Sequence, residues 1–176
     1  LWYPDETIQH AGIVTGLGGY AGHSHKYKKK GGSGYLFRTS TVQDFSGVTG
    51  ACLLVKTAVY DEMHGLDEQF AVAFNDVDFC LRVRDAGYRI AWTPYAELIH
   101  YESKSRGGDE KDPVKAARFA AEQQRLYTIH GKENILDDPY YNPNLTRDRE
   151  DFSESDDLRR LKEGRVTVRF RGGILQ

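Results

Sequence analysis

The chain has 176 residues, 39% of them hydrophobic and 12% aromatic, with 24 basic side chains against 26 acidic ones. Those figures describe one domain of ordinary size, which hides roughly 70% of its unfolded surface on folding and needs neither disulfides nor a structural metal to do so. A formal net charge of -2 excludes a global attraction to nucleic acid or anionic membrane, and the longest apolar run, residues 50–55, is far shorter than the roughly 18 residues of a spanning helix.

The chain opens at Leu1 rather than Met, inside a stretch that already reads as strand edge and turn, and no signal-peptide pattern is visible. A piece of a longer polypeptide is therefore expected. Residues 7–14 alternate loosely and then dissolve into Gly16, Gly18, Gly19 and Gly22, which predicts a short strand followed by a mobile glycine loop. Lys26, Lys28, Lys29 and Lys30 run into Gly31-Gly32-Ser33-Gly34, a long exposed loop. Residues 47–56 predict a buried strand, and residues 57–64 a short helix closed at Gly65.

Asn75 is expected to cap a helix with Asp76 and Asp78 in its first turn, Val77, Cys80, Leu81, Val83 and Ala86 inside, and a stop at Gly87. Residues 89–92 and 96–100 predict two extended pieces hinged at Pro94. A polar loop follows over 102–111, and Pro113 starts a longer helix carrying Val114, Ala117, Phe119, Ala120 and Leu126. Beyond Asp137 the signal fades between Pro139 and Pro143, until residues 165–170 alternate like a strand. Cys52 and Cys80 fall in the predicted strand and helix, as buried free thiols of a reducing compartment would.

Several side chains could carry chemistry. Asp76 follows an apolar segment and opens a helix, so its carboxylate emerges at a rim where it could take a proton from a hydroxyl. Acidic residues are also favoured in a first turn simply because they offset the helix dipole, by about 0.3 to 1 kcal/mol. Asp78 lies four residues before Arg82, the spacing of a helix-face ion pair, and both are assigned to architecture. His100 ends an extended piece before the polar loop, where a neutral imidazole could serve a divalent ion such as manganese. His23 and His25 sit among glycines and are a weak metal signal. The lysine run lacks the strand, Gly-x-x-x-x-Gly-Lys pattern and helix of a phosphate-cradling loop. Tyr27 and Tyr35 alone are too few aromatics for a nucleic-acid surface.

Taken in order, Val48-Thr49-Gly50-Ala51-Cys52-Leu53-Leu54-Val55, Gly65-Leu66-Asp67-Glu68-Gln69-Phe70, Asn75-Asp76-Val77-Asp78-Phe79-Cys80-Leu81-Arg82, Ala86-Gly87-Tyr88-Arg89 with Trp92-Thr93-Pro94, and His100-Tyr101-Glu102-Ser103 resemble the C-terminal half of family 2 glycosyltransferases. The likeness is greatest to the bacterial enzymes of O-antigen and surface polysaccharide synthesis. It covers roughly residues 1 to 106, with a looser echo in residues 138–145.

The resemblance implies an α/β fold, the C-terminal half of a nucleotide-diphospho-sugar transferase (GT-A-like) domain with an incomplete sheet and flanking helices. Residues 1–136 would form its acceptor-side catalytic portion and 137–176 a poorly defined C-terminal extension. The donor-binding half with its Asp-x-Asp metal motif has no candidate in this sequence. By the same match Asp76 is the catalytic base of an inverting transfer, and His100 a ligand to the metal on the donor diphosphate. The match also implies that Thr49, Gly50 and Ala51 are the wall of the acceptor pocket, and that Asn75 is substrate-binding with them. Asn75 stands beside the base where the family usually has Glu, which removes a charge that could tune it.

The implied partners are a nucleotide-sugar donor and a saccharide or lipid-linked saccharide acceptor. The implied cofactor is a divalent ion, Mn or Mg, bound only together with donor and the missing half; the implied location is the cytoplasmic face of the membrane. An isolated half is expected to be inactive, because donor, metal and acceptor must be held in line, and to self-associate through the sheet edge and apolar face left uncovered. Two competing readings are a non-catalytic binding or assembly module derived from that fold, and a metal-dependent hydrolase using His23, His25, Asp76 and His100.

Overall fold

The computed structural model describes residues 1–101 and 112–156, together with the backbone of 169–170 and 173–174. The predicted loop over 102–111 and residues 165–168 of the last predicted strand lie outside these. Alternation along β1 (Ile13–Thr15) sets up the interior. Successive strand side chains point to opposite faces, so Ile13 enters one apolar cluster, with Phe70, Val77, Leu81, Leu126 and Ile135, while Val14 enters another, with Leu17, Phe45, Tyr141, Leu145 and Phe152.

β1 pairs antiparallel with β2 (Ala21–His23), Val14 opposite Gly22. The glycines between them form a fixed hairpin rather than the mobile loop expected. Gly16 and Gly19 take φ of 83° and 86°, Gly18 N–H donates to the Arg147 carbonyl at 2.8 Å, and the Tyr127 hydroxyl donates to the Gly19 carbonyl. Gly22 is required by packing: a Cβ there would stand 2.8 Å from a Glu150 oxygen and 2.9 Å from Leu17 Cβ. The lysine segment is pinned too. Thr7 and Lys29 form a bridge, and Ile8 exchanges backbone hydrogen bonds with Lys28 and Tyr27 (2.8 and 2.7 Å).

The stops at Gly65 and Gly87 and the start at Pro113 match expectation; the end of the helix that Pro113 opens and the whole of the helix after it were not anticipated. α1 (Thr57–Glu62) ends just before Gly65, which takes φ 71°. α2 (Asn75–Asp85) is followed by Gly87 at φ 89°. α3 (Pro113–His130) has Pro113 in its first turn and Asp112 as N-cap, its Oδ1 accepting from Val114 N–H at 2.9 Å. α4 (Lys132–Leu136) follows after Gly131. The cap of α2 is a correction. Phe74, at φ 64°, is the capping residue, and Asn75 already lies inside the helix. Asn75 Oδ1 accepts from Asp76 N–H (2.7 Å) and Asp76 Oδ1 from Val77 N–H (2.9 Å), so side chains still satisfy the first-turn donors.

α2 is buried on two sides: Val77 and Leu81 face the first cluster, and Phe79, Cys80 and Val83 face a third with Ile90. Each such side chain contributes roughly 1.5–3 kcal/mol on full burial. Asp78 ties α2 to its surroundings. Its Oδ2 accepts from Arg82 Nε and Nη2 (2.9 and 2.7 Å), its Oδ1 pairs with His130 Nε2 at the end of α3 (2.8 Å), and Arg82 reaches on to the Met63 and Gly65 carbonyls. Burial pushes the Asp78 carboxyl up, and the hydrogen bonds from His130 and Arg82 outweigh it and leave it below the ordinary carboxylate range. The architectural role expected for Asp78 and Arg82 is what the contacts show.

Residues 47–56 depart most from expectation. Instead of a buried strand, the segment is a single 3-10 turn (Gly50–Cys52) followed by extended chain. Val48, Leu53 and Val55 pack on the third cluster, while Leu54 is 100% exposed. Cys52 is exposed, against expectation; Cys80 is buried, and both thiols are free. Burial pushes the Cys80 thiol up to about 12, which makes it inert.

The two predicted extended pieces are present in short form. β4 (Ala91–Trp92) pairs antiparallel with β3 (Gln43–Asp44), and Ile99 bridges Trp2 in parallel. Residues 137–156 are no loose extension. Tyr141, Leu145 and Phe152 belong to the Val14 cluster, and buried Asp138 accepts from Thr15 N–H at 2.7 Å. At the far end β5 (Arg169–Phe170) pairs with β6 (Gly173–Ile174). The fold is thus mixed α/β with small antiparallel sheets. Among the described residues no helix is long and apolar enough to cross a membrane.

Candidate active site

Asp76 stands in the first turn of α2, half-buried, and its Oδ2 accepts from Gly50 N–H at 2.8 Å. The Thr49-Gly50-Ala51 turn predicted beside it is therefore in contact with it. Thr49 caps that turn, its hydroxyl accepting from Ala51 N–H at 3.3 Å. Gly50 and Ala51 are exposed. A Cβ at Gly50 would lie 3.5 Å from Asp76 Cβ, ordinary van der Waals contact, so the close approach itself does not exclude a larger residue. Asp76 is held by backbone N–H groups, and no cation pairs with it among the described residues. Asn75 points its amide oxygen at the helix backbone; it neighbours the carboxylate in sequence and makes no hydrogen bond to the turn.

His10, not singled out from the sequence, supports the turn from below. It is buried, and its Nε2 accepts from both Thr49 N–H and Gly12 N–H at 3.3 Å. Two donors on Nε2 leave the ring proton on Nδ1, which donates to His23 Nδ1 at 2.8 Å. Burial, then the His23 ring, holds His10 well below the ordinary imidazole range, so it stays neutral.

The next residue extends the same line of contacts. Gln9 donates from its side-chain nitrogen to the His100 carbonyl (3.3 Å), and its oxygen faces His100 Nδ1 at 2.8 Å. That oxygen fixes the proton on Nδ1 and leaves the lone pair on Nε2, the tautomer suited to a metal. His100 is exposed, and its N–H donates to the Trp2 carbonyl at 3.0 Å. Asp76, the Thr49 turn, His10, Gln9 and His100 thus form one run of successive contacts. The alternation of apolar residues before Gly12 hid Gln9 and His10; the adjacent polar pair interrupting it is the signal that could have exposed them.

His23 and His25 serve structure. His25 is buried and stacked on Phe152 at 4.2 Å, with Nε2 accepting from Tyr35 N–H (3.0 Å) and Nδ1 2.6 Å from the Ser24 hydroxyl. Burial, then Lys28 and Arg38, lower it to about 4. Among the described residues no three His, Cys, Asp or Glu side chains come together as a metal site. This removes the basis for a hydrolase built on His23, His25, Asp76 and His100. One oriented imidazole fits an ion shared with other ligands and does not make a resident site.

The chain is 49% identical over 153 residues to the uncharacterized protein y4gI of Sinorhizobium fredii, covering 86% of this chain and 17% of that protein. It is 35% identical over 147 residues to the O-antigen biosynthesis protein RfbC of Myxococcus xanthus, 83% of this chain and 11% of the relative. It is 32% identical over 80 residues to an N-acetylglucosaminyl-diphospho-decaprenol L-rhamnosyltransferase of Mycobacterium tuberculosis, 46% of this chain and 24% of the enzyme. No protein-family model matches the chain, and no solved structure does. The chain spans less than a quarter of the length of the curated relatives it matches, and those relatives include an O-antigen biosynthesis protein and a glycosyltransferase.

Proposed function

We propose that this chain is the acceptor-side, base-carrying portion of an inverting family 2 glycosyltransferase of bacterial surface polysaccharide synthesis, with the GT-A-like fold. The observation that carries it is the Asp76 carboxylate, presented at the Thr49-Gly50-Ala51 turn, where Gly50 and Ala51 are exposed, by one hydrogen bond from Gly50. The names of the relatives, O-antigen biosynthesis and rhamnosyl transfer, support the reaction class.

Asp76 takes the proton of an acceptor hydroxyl as its oxygen bonds to the anomeric carbon of a nucleotide-sugar. The bond from that carbon to the diphosphate breaks on the opposite face, so the configuration inverts. The Thr49 turn, backed by His10, sets how closely the acceptor approaches the base. His100, whose Nδ1 faces the Gln9 side-chain oxygen so that Nε2 keeps its lone pair, is the side chain that would ligate Mn or Mg. Bound together with the donor, that ion would stabilise charge on the leaving diphosphate. The reaction is placed on the cytoplasmic face of the membrane, with a saccharide or lipid-linked saccharide as acceptor.

Nucleotide-sugar turnover by the full gene product carrying Asp76→Asn tests this. A base of this kind contributes about 10²–10⁴ in rate, so turnover falls by that factor. Parental turnover in the variant would remove Asp76 from the mechanism.

A further inference from the structure

A cavity of about 380 Å³ adjoins the run of contacts from Asp76 to His100, sharing His10 with it, and is lined by neither Asp76 nor His100. Its size is that of small-molecule sites, ~300–1,000 Å³. Trp2 and Trp92 both line it, and they are the two tryptophans of the whole chain. Lys30 and Glu97 also line it, with Lys30 Nζ 2.8 Å from Glu97 Oε2 and 5.0 Å from the centre of the Trp2 ring.

The walls are preformed. Trp2 N–H donates to the Leu98 carbonyl (2.9 Å), the Trp2 carbonyl accepts from His100 N–H (3.0 Å), and Lys30 N–H donates to the Glu6 carbonyl (3.2 Å). Trp92 is set in β4, edge-on to fully buried Phe45.

We infer that this cavity is a saccharide subsite, in which a pyranose of the acceptor lies against indole and addresses its hydroxyls to the Lys30–Glu97 pair. A pyranose has a face of C–H groups and a rim of hydroxyls. The first matches an indole; the second needs donors and acceptors side by side, which an ammonium with three N–H groups and a carboxylate provide. An exposed pair of this kind adds little to stability, so its removal tests binding without loss of the fold. The inference rests on the proposed sugar transfer and deepens it, placing the part of the acceptor beyond the attacked hydroxyl.

Because both tryptophans line the cavity, tryptophan emission of the 176-residue chain reports on it directly. Methyl glycosides of N-acetylglucosamine and rhamnose, and inorganic diphosphate, are titrated separately, with circular dichroism as the check of folding. The expected result is a saturable emission change with at least one glycoside, weakened about tenfold, ~1.4 kcal/mol, by Lys30→Met and by Glu97→Gln. No saturable change with either glycoside, a response to diphosphate alone, or an unaltered response in both pair variants would overturn it. Loss of turnover in Asp76→Asn alongside a silent titration would remove the subsite and leave the base standing. A sugar response with undiminished turnover in Asp76→Asn would do the reverse.

Discussion

Asp76 and Asp78 lie two residues apart on α2 and have opposite surroundings. Asp78 is 1% exposed and takes hydrogen bonds from Arg82 and His130; Asp76 is half-buried and held by backbone N–H groups alone. Every oxygen of Asp78 is committed to joining α2, α3 and the turn after α1, so it has no capacity left for chemistry. Asp76 keeps lone pairs at a rim. The same first-turn preference for acidic residues placed both in the sequence, and what separates them is which face of the helix the rest of the chain covers.

The contrast breaks most readily on its buried side. Asp78→Ala leaves Arg82 and His130 without their partner and is expected to cost about 3–5 kcal/mol, measured by urea denaturation; a loss below about 1 kcal/mol would mean the network is ornamental to folding. Next comes pH. Buried His25 is held neutral with its value lowered from 6.5 to about 4, so the unfolded chain binds more protons than the folded one between those values. Stability therefore falls as pH drops from about 6.5 to 4, by up to roughly 3 kcal/mol from this residue. His25→Gln is expected to flatten that slope in denaturation curves taken across the range, with His10 contributing in the same direction.

Gly12 gives a smaller effect. It has φ 101°, and a Cβ there would stand 2.6 Å from the ring of Phe45. Gly12→Ala is expected to lower stability by about 1–3 kcal/mol, the usual range for overpacking, seen as an earlier unfolding midpoint. On the exposed side Lys30→Met removes a solvated ion pair and the ammonium over the Trp2 ring, and its cost is expected to stay below about 1 kcal/mol. A larger loss would mean that the rim carries the fold as well.

The helix limits at Pro113, Gly65 and Gly87 were legible because these residues act locally, through a fixed φ or tolerance of a positive one. Residues 47–56 misled because an apolar run reads as a buried strand without saying which neighbours cover it. Here only alternate side chains find the Phe79 cluster, and Leu54 faces out. The contact between Asp76 and Gly50 was reachable from ordered motifs, whereas the Gln9 and His10 supports were not. Their role comes from tertiary hydrogen bonds to His100 and Thr49, 91 and 39 residues away in sequence. The fading signal after Asp137 hid a buried segment because Tyr141, Leu145 and Phe152 enter the core singly, without the periodicity of a helix or strand.

The central claim is that Asp76 serves chemistry and Asp78 serves the fold. Turnover and unfolding free energy of Asp76→Asn, measured together on the full gene product, test it most directly. The account predicts turnover lowered about 10²–10⁴ with stability kept within about 0.5 kcal/mol of the parent. Retained turnover, or turnover lost in step with stability, would contradict it.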